Sequence, residues 1–116
     1  MAEHTWTVRL SAVAEVDFRQ ILRWTVDHFG SVQGRVYADT LSSALKASSA
    51  GPSVTGVKER PEIGSNIRTL HVARNGRMGR HLVMFRVAGA QESKVIDVLR
   101  LLHDSMDLER HLPSQD

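Results

Sequence analysis

The sequence has 116 residues, a formal net charge of +2 at pH 7 and no cysteine. This length suits one domain with a substantial core, and the absence of cysteine excludes disulfides and thiolate chemistry. The apolar runs are too short to span a membrane, and the N-terminus lacks a basic region followed by an apolar stretch. We therefore expect a single cytoplasmic domain over residues 1–116 that makes no membrane contact.

The first third of the chain predicts a short strand followed by a long helix. Residues 6–10 alternate between apolar and polar side chains, which is the period of a strand. Apolar residues then recur at helical spacing over residues 11–29. Ser11 is the expected N-cap, and Gly30 is expected to end the helix in the left-handed αL conformation.

A second helix is predicted over residues 31–49, with Ser31 as its cap and a Gly-Pro pair after its end. Because a single residue separates the two helices, they should form a hairpin whose apolar stripes face a common surface. Those stripes include Phe29 in the first helix and Val36 in the second. Residues 53–66 carry several turn-forming residues and are predicted to be a loop that can hold one short extended piece.

In the second half of the chain the apolar period changes to two. Strands are predicted over residues 67–74, 80–87 and 94–102, and the Asn-Gly pair in the first connection is the strongest turn signal. Short connections make consecutive strands antiparallel, so residues 67–102 should form a three-stranded meander. A short C-terminal helix is predicted over residues 104–112.

The β-α-α-β-β-β order predicts a two-layer α+β fold in which the helix hairpin covers one face of an antiparallel sheet. The other face should carry aliphatic side chains beside arginines, since residues 67–100 hold seven lysines and arginines against two acidic residues. An apolar patch with a positive rim suggests a surface that binds an anionic partner. The alternative is that the C-terminal segment folds back and covers this face.

The chain has six histidines, but their spacing predicts no metal site, and no cofactor motif is present. Metal-independent nuclease chemistry needs a proton-transfer pair and a cation near the phosphate. His103 can serve as an acid or a base, with arginines of the meander as the cations. A second proton-transfer group is hard to find, since Tyr37 fits the buried stripe of the second helix. The alternative for His103 is a strand-end residue whose ring bonds to the backbone.

Three stretches of the sequence are similar to one known family. They are AVAEVDFRQILRWTVDHFG in the first helix, RTLHVARNGRMGRHLVMFRV in the first two strands of the meander, and VLRLLHDSMDLERHL near the C-terminus. In this order, the three stretches resemble the ParE branch of the RelE/ParE superfamily of toxins from type II toxin–antitoxin systems. The resemblance implies the same α+β fold with a short C-terminal helix.

The resemblance also implies a function. ParE-like toxins are non-enzymatic inhibitors of DNA gyrase that act by protein–protein contact and need no cofactor. A ParD-like antitoxin with a ribbon-helix-helix domain neutralises them, and operator DNA is contacted only indirectly, through the antitoxin. Two alternatives stay open, a RelE-like ribosome-dependent mRNA endonuclease and a non-toxic homologue that only binds a partner.

The site predictions follow from the predicted faces and from the resemblance. The antitoxin is expected to bind through Arg68, Arg80, Leu82, Met84, Arg86 and Arg100. The candidate target contacts are Met106, Leu108 and Arg110. No catalytic residue is expected in a gyrase inhibitor, whereas an mRNA endonuclease would use His103, Arg86 and Arg100.

Overall fold

A computed structural model describes residues 5–106 and residue 108. The elements follow the predicted order of one strand, two helices and then further strands. They are β1 (Thr7–Leu10), α1 (Ala12–Phe29), α2 (Ser31–Ser48), β2 (Lys58–Glu59), β3 (Arg68–His71), β4 (His81–Val87), a 3₁₀ turn (Gln91–Ser93) and β5 (Val95–His103). The prediction of an α+β fold with two helices packed on a sheet is confirmed.

The five strands form one mixed sheet in the order β1-β5-β4-β3-β2. The β3-β4-β5 meander is antiparallel, as predicted, and the short β2 adds an antiparallel edge. The N-terminal strand β1 pairs with β5 in parallel, with Thr7 opposite Val95 and Leu10 opposite Val98. The sheet is therefore mixed and not wholly antiparallel as predicted. Parallel strands need a long crossover connection, and the two helices form part of the connection between β1 and β5.

The helix termini agree only in part with the prediction. Ser11 is the N-cap of α1, and its Oγ accepts a hydrogen bond from the Ala14 N–H at 3.0 Å. Gly30 ends α1 with φ 93° and ψ 170°, which is not the predicted αL conformation. Ser31 is the first residue of α2 and not its cap, because Gly30 serves both helices. One residue that reverses the chain between two helices needs this positive φ, which glycine tolerates.

The main core lies between the helix hairpin and the sheet. It includes Leu41 of α2, Phe85 of β4 and Val98 of β5, all fully buried. Phe29 and Val36 were predicted to lie on the buried stripes, but they are 63% and 52% exposed. Both lie in the helical turns next to Gly30, and the large buried side chains of α2 begin only after this end of the hairpin.

The other face of the sheet carries a second apolar cluster of Ile67, Met84, Leu99 and Leu102. Ile63 from the preceding loop and Leu108 from the C-terminal segment pack against it. Of the two predicted alternatives for this face, the structure therefore shows the covered one. We call this cluster the outer cluster.

A β-bulge in β5 changes which residues share a face. The β4–β5 register shifts between Met84 and Phe85, so that Leu99 has no partner in β4. Strict alternation along β5 would place Leu99 and Leu101 on one face, but the two side chains lie on opposite faces. Leu99 lies in the outer cluster and Leu101 in the main core, since one extra residue reverses the alternation of side chains.

The remaining predictions concern turns and the C-terminus. Asn75 and Gly76 both have positive φ, and the Arg77 N–H donates to the Arg74 carbonyl at 3.0 Å, so the Asn-Gly turn is confirmed. β3 ends at His71, three residues earlier than predicted. Residues 104–106 form a turn, and most of the predicted helix over residues 104–112 lies outside the described residues.

Candidate functional site

The ends of α1 and α2 that meet at Gly30 carry four large exposed apolar side chains, which we call the hairpin tip: Trp24, Phe29, Val32 and Val36. Trp24 is 55% exposed, and its ring stacks on His28 at 4.1 Å and meets the edge of Phe29 at 5.8 Å. A rigid exposed aromatic cluster is typical of a protein contact surface. This surface was not among the predicted sites, although the position of Trp24 off the helical spacing of the buried stripe was a sequence signal for it.

The structure buries two of the residues predicted to bind an antitoxin. Leu82 and Met84 lie on the outer face of β4 and have almost no exposed surface. Met84 belongs to the outer cluster, which Ile63 and Leu108 cover. A partner would reach Leu82 and Met84 only if these covering residues moved.

Arg100, also predicted to bind an antitoxin, forms an ion pair with Asp17 of α1. Its Nε and Nη2 donate to the two carboxylate oxygens of Asp17 at 2.8 and 3.0 Å. The Leu101 N–H donates to the same carboxylate at 3.0 Å. The hydrogen bond to Asp17 raises the pKa of Arg100. Asp17 thus binds the β5 backbone beyond the point where its pairing with β1 ends. Asp17 lies on the buried side of α1, one turn after Ala14, and this position was the sequence signal for a buried carboxylate.

The other three predicted arginines lie apart from one another. Arg68 is opposite Phe85 and therefore lies on the helix side of the sheet. Arg86 is opposite Asp97 near the end of β4. Arg80 precedes β4, and its Nε donates to both carboxylate oxygens of Asp104 at 3.1 Å. The six predicted residues therefore do not form one continuous surface.

Asp104 ties the end of β5 to the β3–β4 connection. Its carboxylate also accepts from His71 Nε2 at 2.8 Å, and its backbone N–H donates to the Arg80 carbonyl at 2.7 Å. Hydrogen bonds from the Arg80 guanidinium, which contributes most, and from His71 hold the pKa of the Asp104 carboxyl well below its usual range. These bonds direct the chain after β5 toward the outer cluster.

Two histidines and the single tyrosine meet on the helix side of the same sheet end. Tyr37 Oη lies 2.6 Å from His81 Nδ1 and accepts from the Arg80 N–H at 3.3 Å, so the hydroxyl donates to His81. The His81 ring lies 5.4 Å from the His103 ring, at an angle of 81°. The pKa of His81 is lowered to about 4, mainly by burial and secondly by the neighbouring His103. Burial raises the pKa of Tyr37.

The structure brings together two of the three residues predicted for an mRNA endonuclease. His103 and Arg100 line a cavity of about 160 Å³, together with His81. Arg86 lies five residues along β4 from His81 and does not line this cavity. The His103 ring also bonds locally, since its Nδ1 accepts from the Ser105 N–H at 3.2 Å. His81 is therefore a second titratable group beside His103, which the periodicity of the sequence did not indicate.

The candidate target contacts differ in accessibility. Met106 is exposed, whereas Leu108 packs against the outer cluster. Arg110 lies outside the described residues. Within residues 5–106 and 108, no group of three histidine or acidic side chains is arranged to hold a metal ion, and no helix is long and apolar enough to cross a membrane.

The low pKa of His81 makes stability depend on pH. The folded state favours neutral His81, so its contribution is complete above the unfolded-state pKa near 6.5 and falls as the pH drops toward 4. We expect the urea midpoint to be lower at about pH 5 than at pH 7.5. His81→Gln keeps an acceptor for Tyr37 without titrating in this range, so it should show a smaller decrease. Equal decreases in both proteins would contradict this assignment.

The sequence between residues 8 and 108 matches the family described as ParE toxin of type II toxin-antitoxin system, parDE. Proteins named Toxin ParE1 from two strains of Mycobacterium tuberculosis are each 31% identical over 103 residues, covering 89% of this chain and 94% of theirs. Two solved structures have a similar fold. The chromosomal ParDE system from P. aeruginosa aligns with a TM-score of 0.68 at 21% identity, covering 87% of this chain and 98% of that one. The toxin-antitoxin complex RelBE2 from Mycobacterium tuberculosis aligns with a TM-score of 0.56 at 20% identity, covering 85% and 98%.

Proposed function

Because this chain belongs to the ParE family of toxins from type II toxin–antitoxin systems, we propose that it inhibits DNA gyrase by protein–protein contact. The observation that carries the proposal is the hairpin tip, where Trp24 and Phe29 are both more than half exposed. A toxin that acts without chemistry must hold its target through buried contacts. Large aromatic side chains supply most of the binding energy in such interfaces.

Replacing Trp24 and Phe29 with alanine should weaken gyrase inhibition. Loss of one central aromatic contact typically costs about 2 kcal/mol or more, so half-inhibition of supercoiling should need roughly 30-fold more protein, or more still. Met78→Ala is the matched control, because Met78 is an exposed apolar residue in the β3–β4 connection. If the wild-type chain leaves supercoiling unaffected at saturating concentration, the gyrase proposal is wrong. If the double variant inhibits like wild type, the hairpin tip is not the contact.

We also propose that a ParD-like antitoxin neutralises the protein, with a ribbon-helix-helix half that binds operator DNA and an acidic segment that binds the toxin. Arg80 and Arg86 are candidate contacts for acidic side chains, which would compete with Asp104 for Arg80 and with Asp97 for Arg86. Leu82 and Met84 stay candidate contacts for a segment that displaces Leu108 and folds on binding. Adding such an antitoxin in excess should restore supercoiling.

Met106, Leu108 and Arg110 remain candidate target contacts. Met106 follows the turn held by Asp104 and is exposed, which supports its role. Leu108 contributes to binding only if it leaves the outer cluster.

A second candidate function is a metal-independent mRNA endonuclease, favoured by the juxtaposition of His81 and His103. His103 is accessible enough to transfer a proton, and His81 lies beside it, with the Tyr37 hydroxyl already donating to His81 Nδ1. The cations near them weaken this candidate. Arg80 and Arg100 each bind a carboxylate, Asp104 and Asp17, so their charge is already neutralised where a phosphate would sit.

His103→Ala separates the two candidates. For a gyrase inhibitor that acts through the hairpin tip, we expect unchanged inhibition of supercoiling and intact mRNA in a translating extract, for both wild type and variant. If the wild-type chain cleaves mRNA and His103→Ala does not, the endonuclease candidate replaces the gyrase proposal.

A further inference from the structure

One long segment of the chain carries positive charge without any negative charge. Residues 63–91 contain five arginines and no aspartate or glutamate. Two of the five face acidic residues of β5 and the turn after it, since Arg80 pairs with Asp104 and Arg86 lies opposite Asp97. The other three are Arg68, Arg74 and Arg77, which we call the arginine ridge.

Each arginine of the ridge donates to a neutral oxygen. Arg68 Nη1 donates to the Pro52 carbonyl at 2.7 Å, and Arg74 Nη2 donates to the Thr55 carbonyl at 3.1 Å. Arg77 Nη1 lies 3.4 Å from Thr40 Oγ1. Glu59 lies opposite Arg68 in the β2–β3 register, yet within the described part of the chain no carboxylate lies within ion-pair distance of any ridge arginine. Arg74 and Arg77 therefore keep their charge, unlike Arg80 and Arg100, whereas Glu59 on the neighbouring strand offsets part of the charge of Arg68.

The fold brings the three ridge arginines together. Arg74 and Arg77 flank the Asn-Gly turn, where the Arg77 N–H donates to the Arg74 carbonyl. Arg68 and Arg74 both donate to the short loop that follows α2. A guanidinium has five N–H donors, and the bonds to neutral oxygens use only one or two of them. These bonds orient the guanidinium groups and leave donors for an anionic ligand.

The ridge offers charge with little apolar surface. Met78 is its one large exposed apolar neighbour within the β3–β4 connection. Most other exposed apolar side chains of the described structure lie on α1 and α2. An acidic protein segment needs apolar contacts to fold on its partner, whereas a phosphate backbone needs chiefly arginine and lysine.

We propose that the arginine ridge binds the phosphodiester backbone of duplex DNA, without reading its sequence. The choice of duplex DNA among polyanions rests on the proposed function, because the DNA that gyrase holds would lie close to a bound inhibitor. The ridge and the hairpin tip would then bind different molecules. From the resemblance we expected the toxin to contact operator DNA only through its antitoxin. In this proposal the chain contacts DNA directly.

The test uses the full chain, a fluorescent random-sequence DNA duplex and no gyrase. With about three phosphate contacts, affinity should fall roughly 40-fold between about 50 and 200 mM salt. Arg74→Gln with Arg77→Gln should remove about two contacts, so that the same salt change costs only roughly 3- to 4-fold. The variant should also bind more weakly than wild type at the lower salt concentration.

The matched control is Arg19→Gln with Arg23→Gln on the exposed side of α1, which lowers the net charge by the same amount. We expect this control to keep the salt dependence of the wild type. Equal losses in both double variants would show binding by net charge alone and overturn the proposal. Tighter binding to poly-glutamate or to single-stranded RNA would also overturn it. Supercoiling is measured separately, so failure of DNA binding leaves the gyrase proposal to its own test.

Discussion

Replacing Asp17 with alanine is expected to lower the free energy of unfolding by about 2–3 kcal/mol, because it leaves the buried Leu101 N–H unpaired and removes a charged partner of Arg100. The Asp17 carboxylate is buried and accepts two bonds from Arg100 and one from the Leu101 N–H. Without it, the Leu101 N–H stays buried and unpaired, and the partly exposed Arg100 guanidinium loses this partner. The loss is a large fraction of the total stability of a domain of this size.

Urea denaturation of wild type and variant measures this effect. Asp27→Ala is the control, since Asp27 lies exposed on the same helix and its loss should change stability by no more than about 0.5 kcal/mol. A change below about 1 kcal/mol for Asp17→Ala would show that water replaces the carboxylate, and would contradict the structural role given to the pair.

Gly79→Ala is expected to lower the free energy of unfolding by about 1–3 kcal/mol through overpacking. A Cβ added at Gly79 would lie 2.6 Å from Tyr37 Oη and 2.8 Å from Val72 Cγ2. The Tyr37 ring cannot retreat without breaking its hydrogen bond to His81. This glycine is therefore required by the close approach of a side chain.

A double-mutant cycle tests the cause of the Gly79 effect. In a Tyr37→Ala background only the close contact with Val72 remains, so Gly79→Ala should cost clearly less than in the wild type. Thermal or urea unfolding of the four proteins gives the coupling energy. If the cost of Gly79→Ala is the same in both backgrounds, the clash with Tyr37 is not its cause.

Much of the fold was predictable because the relevant signals are local. The period of apolar residues predicted both helices and the three meander strands, and Ser11 and the Asn-Gly turn were found from their own chemistry. The functional surfaces were harder to predict from the sequence. Phe29 and Val36 follow the same helical period as core residues, so the pattern alone could not show that the hairpin tip is exposed.

By itself, the sequence determined the type and order of the elements and the accumulation of arginine in the second half, since these depend on neighbouring residues. Only the tertiary structure decided which arginines keep their charge. Arg100 is neutralised by Asp17, which is 83 residues away in the chain, whereas Arg74 and Arg77 meet only neutral oxygens. It also decided the parallel pairing of β1 with β5 and the reversal of faces at the bulge. Charge pairing and strand pairing act through space, so spacing along the chain does not encode them.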